Sequence, residues 1–354
     1  MSKKNKLFCS MPFRFIEVTG WYPPKGDVFL CCPNWLRVPA GNILQCHSFE
    51  EIWNGEKARE IRRSILNGSF EYCDHFTCPF LQTISGPVER VEGIKDEELM
   101  QIVENNLTCL PYGPKEIKCS YDKSCNLSCP TCRTEIIIES ECEQQILEIQ
   151  NKLENDALKD AHYLSITGSG DPFGSPFLRR WLQTMRRETM PHLKNLHIQT
   201  NGQLWTPKMW GTIPEEIRRL VKTAEISIDA ASSETYSVNR RGGNFARLLE
   251  NLAFISALRK KGPLNSLTIS MVVQENNFKE MPDFVRLGKY FDFDIVSFGR
   301  LMNWGTFSEE EFSNRAIHLT SHPNHLELLE LLRGEEFQES IVYLGNLTEL
   351  IPKE

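Results

Sequence analysis

The densest chemistry in the sequence is Cys125-Asn126-Leu127-Ser128-Cys129-Pro130-Thr131-Cys132, three thiols at C-x3-C-x2-C on one short stretch. Three thiolates cannot close a tetrahedral zinc site without a fourth ligand from elsewhere. They can hold three irons of a [4Fe–4S] cube. The fourth iron is then open to chelate a small molecule through an amine and a carboxylate. A zinc site completed by a distant Cys or His, or a structural group of thiols, is the other use of this spacing. Lys123 and Arg133 flank the thiols, either steadying an anionic cluster or simply solvated.

Further polar groups recur where strand-like segments end. Thr167-Gly168-Ser169-Gly170-Asp171-Pro172 offers small residues that let a ligand approach the backbone, and one carboxylate for an ammonium group. Taken alone, such a turn is just a tight strand-to-helix connection. Thr200-Asn201-Gly202 closes another segment. Ser227 and Asp229, two apart on a predicted strand, face one way and suit ribose hydroxyls or the polar tail of a nucleoside. Asp229 could equally cap the next helix. Arg240-Arg241, before Gly242-Gly243, read as a grip on a ligand carboxylate or as a solvated face.

The elements that must position these groups begin at Glu116. Strands are predicted at 116–122, 163–167, 195–200, 225–229, 267–273 and 294–300, with helices at 143–157, 177–189, 214–222, 244–260 and 281–290. Such alternation implies a parallel sheet with right-handed crossovers, either a curved partial barrel or an open doubly wound sheet. Either way the working edge lies at the carboxyl ends of the strands. Ahead of it, Cys9, Cys31, Cys32, Cys46, Cys73 and Cys78 crowd a region of hairpin and loop with one predicted helix. Ser48 and Glu51 form its capping box, Ile52, Ile61 and Ile65 its apolar face, and Gly68 its stop. So small a core invites a metal staple. The expected division is 1–85, a linker with a short helix over 86–114, an α/β body over 115–302, and an acidic helical tail over 303–354 with Leu326, Leu329 and Leu332 on one face.

Composition narrows the class. Twelve cysteines in 354 residues fall well short of a disulfide scaffold, and 40% hydrophobic with 25% charged residues describes a globular chain. A net charge of -7 argues against a broad nucleic-acid-binding face. The apolar stretch near the start is broken by Ser10, Pro12 and Arg14, and no long apolar run suggests a membrane span. A cytoplasmic protein with reduced thiols, no nucleic acid and no membrane partner is expected.

Residues 115–302 resemble the radical S-adenosylmethionine (radical SAM) superfamily: the C-x3-C-x2-C loop after the first strand, Gly-Ser-Gly-Asp-Pro in the place of Gly-Gly-Glu-Pro, Thr200-Asn201-Gly202, and the Ser227/Asp229 strand. The resemblance implies a partial (β/α)6 TIM-like barrel with a [4Fe–4S] cluster on Cys125, Cys129 and Cys132, its open iron binding S-adenosylmethionine. It also implies cofactor contacts from Gly168, Ser169, Gly170, Asp171, Thr200, Asn201, Ser227, Asp229 and Arg240, with Arg241 the alternative arginine. Two departures stand out: Asp171 replaces a glutamate, and Thr131 stands where an aromatic residue commonly packs on adenine.

The first region resembles a SPASM domain, an auxiliary iron–sulfur module. The pieces are Cys9, Gly26, Cys31-Cys32-Pro33, Gly41-Asn42-Ile43, Glu51-Ile52-Trp53-Asn54 and the pair Cys73/Cys78. The resemblance implies one auxiliary [4Fe–4S] cluster on Cys9, Cys31, Cys73 and Cys78, with zinc the competing metal. This module usually follows the barrel; here it precedes it. The implied activity is reductive cleavage of S-adenosylmethionine, fed by an external one-electron reductant such as flavodoxin or ferredoxin. The 5′-deoxyadenosyl radical so formed abstracts hydrogen from a sugar, peptide or other small substrate. Net oxidation through the auxiliary cluster is the favoured outcome. Epimerisation with a thiol hydrogen donor, for which Cys46, Cys109, Cys119 and Cys142 are unassigned, is the alternative. A non-catalytic, metal-stabilised binding or electron-transfer protein is the reading of another class.

Overall fold

The computed structural model describes residues 6–21, 25–166 and 169–351. They gather into two compact units. One is built from the segments up to Lys123, Glu139–Ser169 and Met185–Leu196; the other from Ser124–Ile138, Gly170–Thr184 and the chain from His197 onward.

The first unit carries β1 (Leu7–Cys9), β2 (Phe15–Thr19), β3 (Asp27–Phe29), β4 (Gly41–Asn42), β5 (Val88–Arg90), β6 (Glu116–Ser120) and β7 (Tyr163–Ile166). β1 pairs with β5, and β2, β3 and β4 form an antiparallel run. On its other edge β2 pairs in parallel with β6, and β6 with β7. The β2–β6 register sets Glu17 against Lys118. The buried Glu17 carboxylate accepts from Ser120 Oγ at 2.7 Å and pairs with Lys118 Nζ at 3.2 Å. The cysteine-rich region therefore contributes a strand to the parallel sheet.

The predicted helix from Ser48 is two helices, Glu50–Trp53 and Glu56–Asn67. Ser48 caps neither; Glu51 Oε2 instead takes the His47 N–H at 3.1 Å, and Gly55 starts the second helix. Gly68 ends it at φ +82, as expected. Ile61 and Ile65 are buried, and so is Arg62. Its guanidinium lies over the Trp53 ring at 4.2 Å and donates to Pro12 O, Asn54 Oδ1 and Thr108 O, each at 2.9 Å. The short helix after the linker, Glu97–Asn105, is capped by Asp96, which accepts the Leu99 N–H.

β8 (Asn195–Thr200) starts in the first unit and runs into the second, which carries β9 (Val221–Ser227), β10 (Ser266–Val273), β11 (Ile295–Arg300) and β12 (Val342–Tyr343). β9, β10, β11 and β12 are successive parallel neighbours. Alternation along them buries Ala224, Ile226, Leu267, Ile269, Met271, Val296 and Phe298. Helices Phe245–Lys261 and Met281–Tyr290 present Leu248, Leu252, Ile255, Phe284 and Val285 to the core. The fold is α/β with a mostly parallel sheet, a partial TIM-like barrel with a cysteine-rich region ahead of it.

Two expectations change here. β9 ends at Ser227, so Asp229 lies beyond it at φ +60 and does not share a strand face with Ser227. The tail is not simply helical. After Glu309–Arg315 and His325–Leu331 it returns as β12 against β11. Leu328, Leu332 and Leu347 are buried in it, whereas Leu326 is exposed. No helix among the described residues is long and apolar enough to cross a membrane.

Candidate functional site

In the second unit the cysteine loop is held as a closed turn. Cys125 N–H donates to Ile137 O, Cys132 N–H and Arg133 N–H both donate to Cys129 O at 2.9 Å, and Ser128 N–H reaches Arg241 O at 3.0 Å. Leu127 is buried beneath it, between the buried Cys125 and Cys129, while Cys132 is exposed. Each sulfur meets a side-chain donor. Asn201 Nδ2 lies 3.7 Å from Cys125 Sγ, Arg240 Nη1 3.7 Å from Cys129 Sγ, and Arg133 Nη2 3.3 Å from Cys132 Sγ.

Asp171 binds the loops together. Its Oδ1 accepts from Phe173 N–H at 3.0 Å and Gly174 N–H at 2.7 Å, and its Oδ2 accepts from Thr200 Oγ1 at 2.7 Å and Asn201 N–H at 2.8 Å. The carboxylate is buried and fully used. Gly174 is required by close approach: a Cβ there would stand 2.9 Å from Asn126 N. Asn201 Nδ2 also donates to Asn126 Oδ1 at 3.0 Å. Gly202 turns the chain at φ +76, and a Cβ there would meet Leu248 and Ile226. Asn251 Nδ2 fixes the carbonyls of Gly202 and Gln203 at 2.8 and 3.0 Å.

Beyond β9, Asp229 Oδ1 accepts the Val272 N–H at 2.7 Å. Its Oδ2 lies 2.9 Å from Arg240 Nη2, a close ion contact without hydrogen-bond alignment. Ser227 Oγ is 3.4 Å from Ser270 Oγ. Arg240 therefore serves the loop and Asp229, while Arg241 is exposed and contributes only its carbonyl. In the first unit, Ser169 Oγ donates to Ser120 O at 2.8 Å and Asp122 O at 3.1 Å, and Lys123 Nζ donates to Trp21 O at 2.9 Å. Gly168 lies outside the described residues.

The electrostatics suit an anionic guest held by thiolates beside fixed positive charge. Burial, and then the Asp171 charge, push the Cys125 thiol up to about 12, and burial also raises Cys129 against the pull of Arg240. Burial works against the charge on Arg240, but Asp229 and Cys129 outweigh it and hold the guanidinium protonated. Thiols buried this way become thiolates when a metal binds them. Among the described residues, no three His, Cys, Asp or Glu side chains gather tightly enough for one ion, as zinc at about 2.3 Å from each sulfur requires. An anionic cluster with N–H donors on its sulfurs fits the donor set better. Arg240 Nε, buried and without a partner, remains to serve such a guest.

The first unit has its own thiol site. Cys9, Cys31, Cys73 and Cys78 line one cavity with Met11, Trp35, Phe70, Phe80, Leu81, Pro87 and Val88. Desolvation raises Cys9 and Cys73 to about 12 each and Cys31 still further, and neighbouring thiols add to each rise. A cavity with four thiols and otherwise apolar walls fits a fully ligated cluster. Cys32 and Cys46 do not line it. Cys46 Sγ donates to Ile43 O at 3.3 Å, Cys119 is sealed in β6, Cys109 is exposed and Cys142 half-buried.

Comparison with known proteins matches residues 123–288 to the radical SAM superfamily and residues 9–79 to SPASM, an iron–sulfur cluster-binding domain. The chain carries a radical SAM domain and a SPASM domain. A radical SAM enzyme of this make-up carries a [4Fe–4S] cluster with S-adenosylmethionine and an auxiliary iron–sulfur cluster. Among curated relatives, GTP 3′,8-cyclase of Limosilactobacillus fermentum is 29% identical over 211 residues, covering 58% of this chain and 59% of the relative. GTP 3′,8-cyclase of Pelotomaculum thermopropionicum is 27% identical over 145 residues, covering 38% and 41%. The chain thus spans about three fifths or less of the curated relatives it matches. Among solved structures, Streptococcus suis SuiB is similar with a TM-score of 0.44 and 16% identity, over 84% of this chain and 63% of that one. The peptide- and AdoMet-bound enzyme anSMEcpe gives 0.42 and 16%, over 66% and 64%.

Asn126, Gln203, Asn239, Asn251 and Asn277 were not singled out from the sequence. Asn126 lies inside the cysteine motif and could have been suspected. The others carry no local signal.

Proposed function

We propose that this radical SAM enzyme binds its catalytic cluster through Cys125, Cys129 and Cys132, binds an auxiliary [4Fe–4S] cluster through Cys9, Cys31, Cys73 and Cys78, and catalyses net two-electron oxidation of a small polar or peptide substrate. Bound in these sites, the cluster and S-adenosylmethionine supply reductive cleavage of the sulfonium and removal of a hydrogen atom from a substrate carbon. The chain's own residues orient that chemistry. Asn201, Arg240 and Arg133 each place a donor at one sulfur. Asp171 fixes the turn that follows β7 against Thr200 and Asn201, acting as a positioning residue.

The observation that carries the oxidative reading is the cavity lined by Cys9, Cys31, Cys73 and Cys78. Four thiols complete the coordination of one cluster and leave no iron for substrate, so electron acceptance is the role that remains. The curated relatives support a second reading, ring closure on GTP. The test is anaerobic reconstitution followed by iron counting and product analysis. About eight irons per chain are expected, falling to about four in a Cys73→Ala/Cys78→Ala variant. A wild-type count near four, or zinc in the first site, would remove the acceptor. Consumption of GTP to a cyclised product would replace oxidation by the second reading.

A further inference from the structure

Asp229 occupies a left-handed conformation at φ +60, a region that residues other than glycine adopt seldom. It persists because its surroundings over-determine it. Asn239 Nδ2 and Asn277 Nδ2 both donate to its carbonyl at 3.0 Å, and the Val272 N–H holds Oδ1. These bonds deliver Oδ2 to Arg240 Nη2. The arginine is thereby held at Nη2 by Asp229 and at Nη1 against Cys129 Sγ, with its Nε buried and without a partner. An arginine side chain only 12% exposed and anchored at two points is poorly placed to follow an arriving ligand.

We infer that Arg240 is a positioning residue that, locked by the strained Asp229, stabilises the reduced form of the cluster at Cys129 and so sets its reduction potential. The inference rests on the reading of Cys125, Cys129 and Cys132 as cluster ligands. Its physical basis is that a fixed positive charge and an N–H donor on a ligating sulfur favour the more negative, electron-loaded state.

The experiment is an EPR-monitored redox titration of the reconstituted full-length protein, with and without S-adenosylmethionine, alongside iron counts. Wild type, Arg240→Lys, Arg240→Gln and Asp229→Asn are compared. Without S-adenosylmethionine, Arg240→Gln is expected to move the potential of the catalytic cluster to more negative values. Arg240→Lys should restore part of the shift because it keeps the charge. Asp229→Asn frees the arginine but also removes a negative charge near Cys129, so its shift should be clearly smaller than that of Arg240→Gln. Should Arg240→Gln fail to retain its cluster, the lysine and asparagine variants still give the reading. Unchanged potentials in the variants that hold a full cluster would overturn the inference. So would weakened S-adenosylmethionine binding at unchanged potential, which would make Arg240 a grip on the cofactor carboxylate. A wild type that binds no catalytic cluster would instead sink the ligand assignment beneath it.

Discussion

Asp171 is the residue whose chemistry is most changed by its surroundings. A free carboxylate at that position could take an ammonium group, but four donors already converge on it. Asp171→Asn keeps one acceptor oxygen and turns the other into a donor facing Thr200 and the Asn201 N–H. Leaving those buried donors unmet should cost on the order of 3 kcal/mol and loosen Asn201 from Cys125. Denaturant melts and iron retention after desalting would report both losses; wild-type values in each would return Asp171 to direct cofactor binding. His318 gives a prediction of another kind. Burial, with Arg300 and His325 nearby, lowers it to about 4, and its Nδ1 is buried without a partner. The folded chain thus resists a proton that the unfolded chain accepts near 6.5. Its stabilisation is complete above that pH and is lost as pH falls toward 4. Allowing for solvent screening, the change should be about 1 kcal/mol. His318→Leu should flatten the decline in melting temperature between pH 7 and pH 5. An equal decline in both proteins would mean the group is hydrated.

At the scale of elements, the turn that follows β7 and the cysteine loop meet at Gly174 and Asn126, where there is no room for a methyl group. Gly174→Ala should push the cysteine loop away by a few tenths of an ångström or more, at a cost of about 1–3 kcal/mol. Reconstitution of the catalytic cluster should fall while the auxiliary one loads normally, so iron should drop toward half. Full loading would show that the loop yields easily. The elements themselves were largely readable. β8 and helix Met281–Tyr290 match their predicted bounds, because alternation and helical spacing are local signals. β9 starts four residues before its predicted start and ends two before its predicted end, since Val221-Lys222-Thr223 carries weak alternation and Ile228 prolongs the apolar pattern past the strand's end. The strain at Asp229 left no trace in sequence, for it is imposed by Val272, Asn239 and Asn277 from distant segments. In the tail, the apolar spacing of 326, 329 and 332 suggested one face, yet the packing chose Leu328 and Leu332.

Across the whole molecule, what sequence could least reveal was long-range pairing. Both β2 and β12 are short, and each finds its partner far along the chain, β2 at residues 116–120 and β12 at 296–297. The cysteine spacing marked a metal module ahead of the barrel, but not that the module lends the barrel a strand. That strand has an energetic consequence within the first unit. Without residues 15–19, β6 becomes an open parallel edge, and Lys118 and Ser120 lose the buried Glu17 carboxylate that they share. A fragment of residues 115–354 should therefore not behave as a free-standing barrel. It is expected to aggregate or to melt without a cooperative transition, even when supplied with iron and sulfide. The matched control is the full-length chain with Cys9, Cys31, Cys73 and Cys78 all changed to Ser, which keeps β2 and loses only the auxiliary ligands. That variant should fold, melt cooperatively and load about four irons. If the fragment melts as sharply as the control and at the same temperature, β2 is an accessory, and the first region serves the barrel only through its metal.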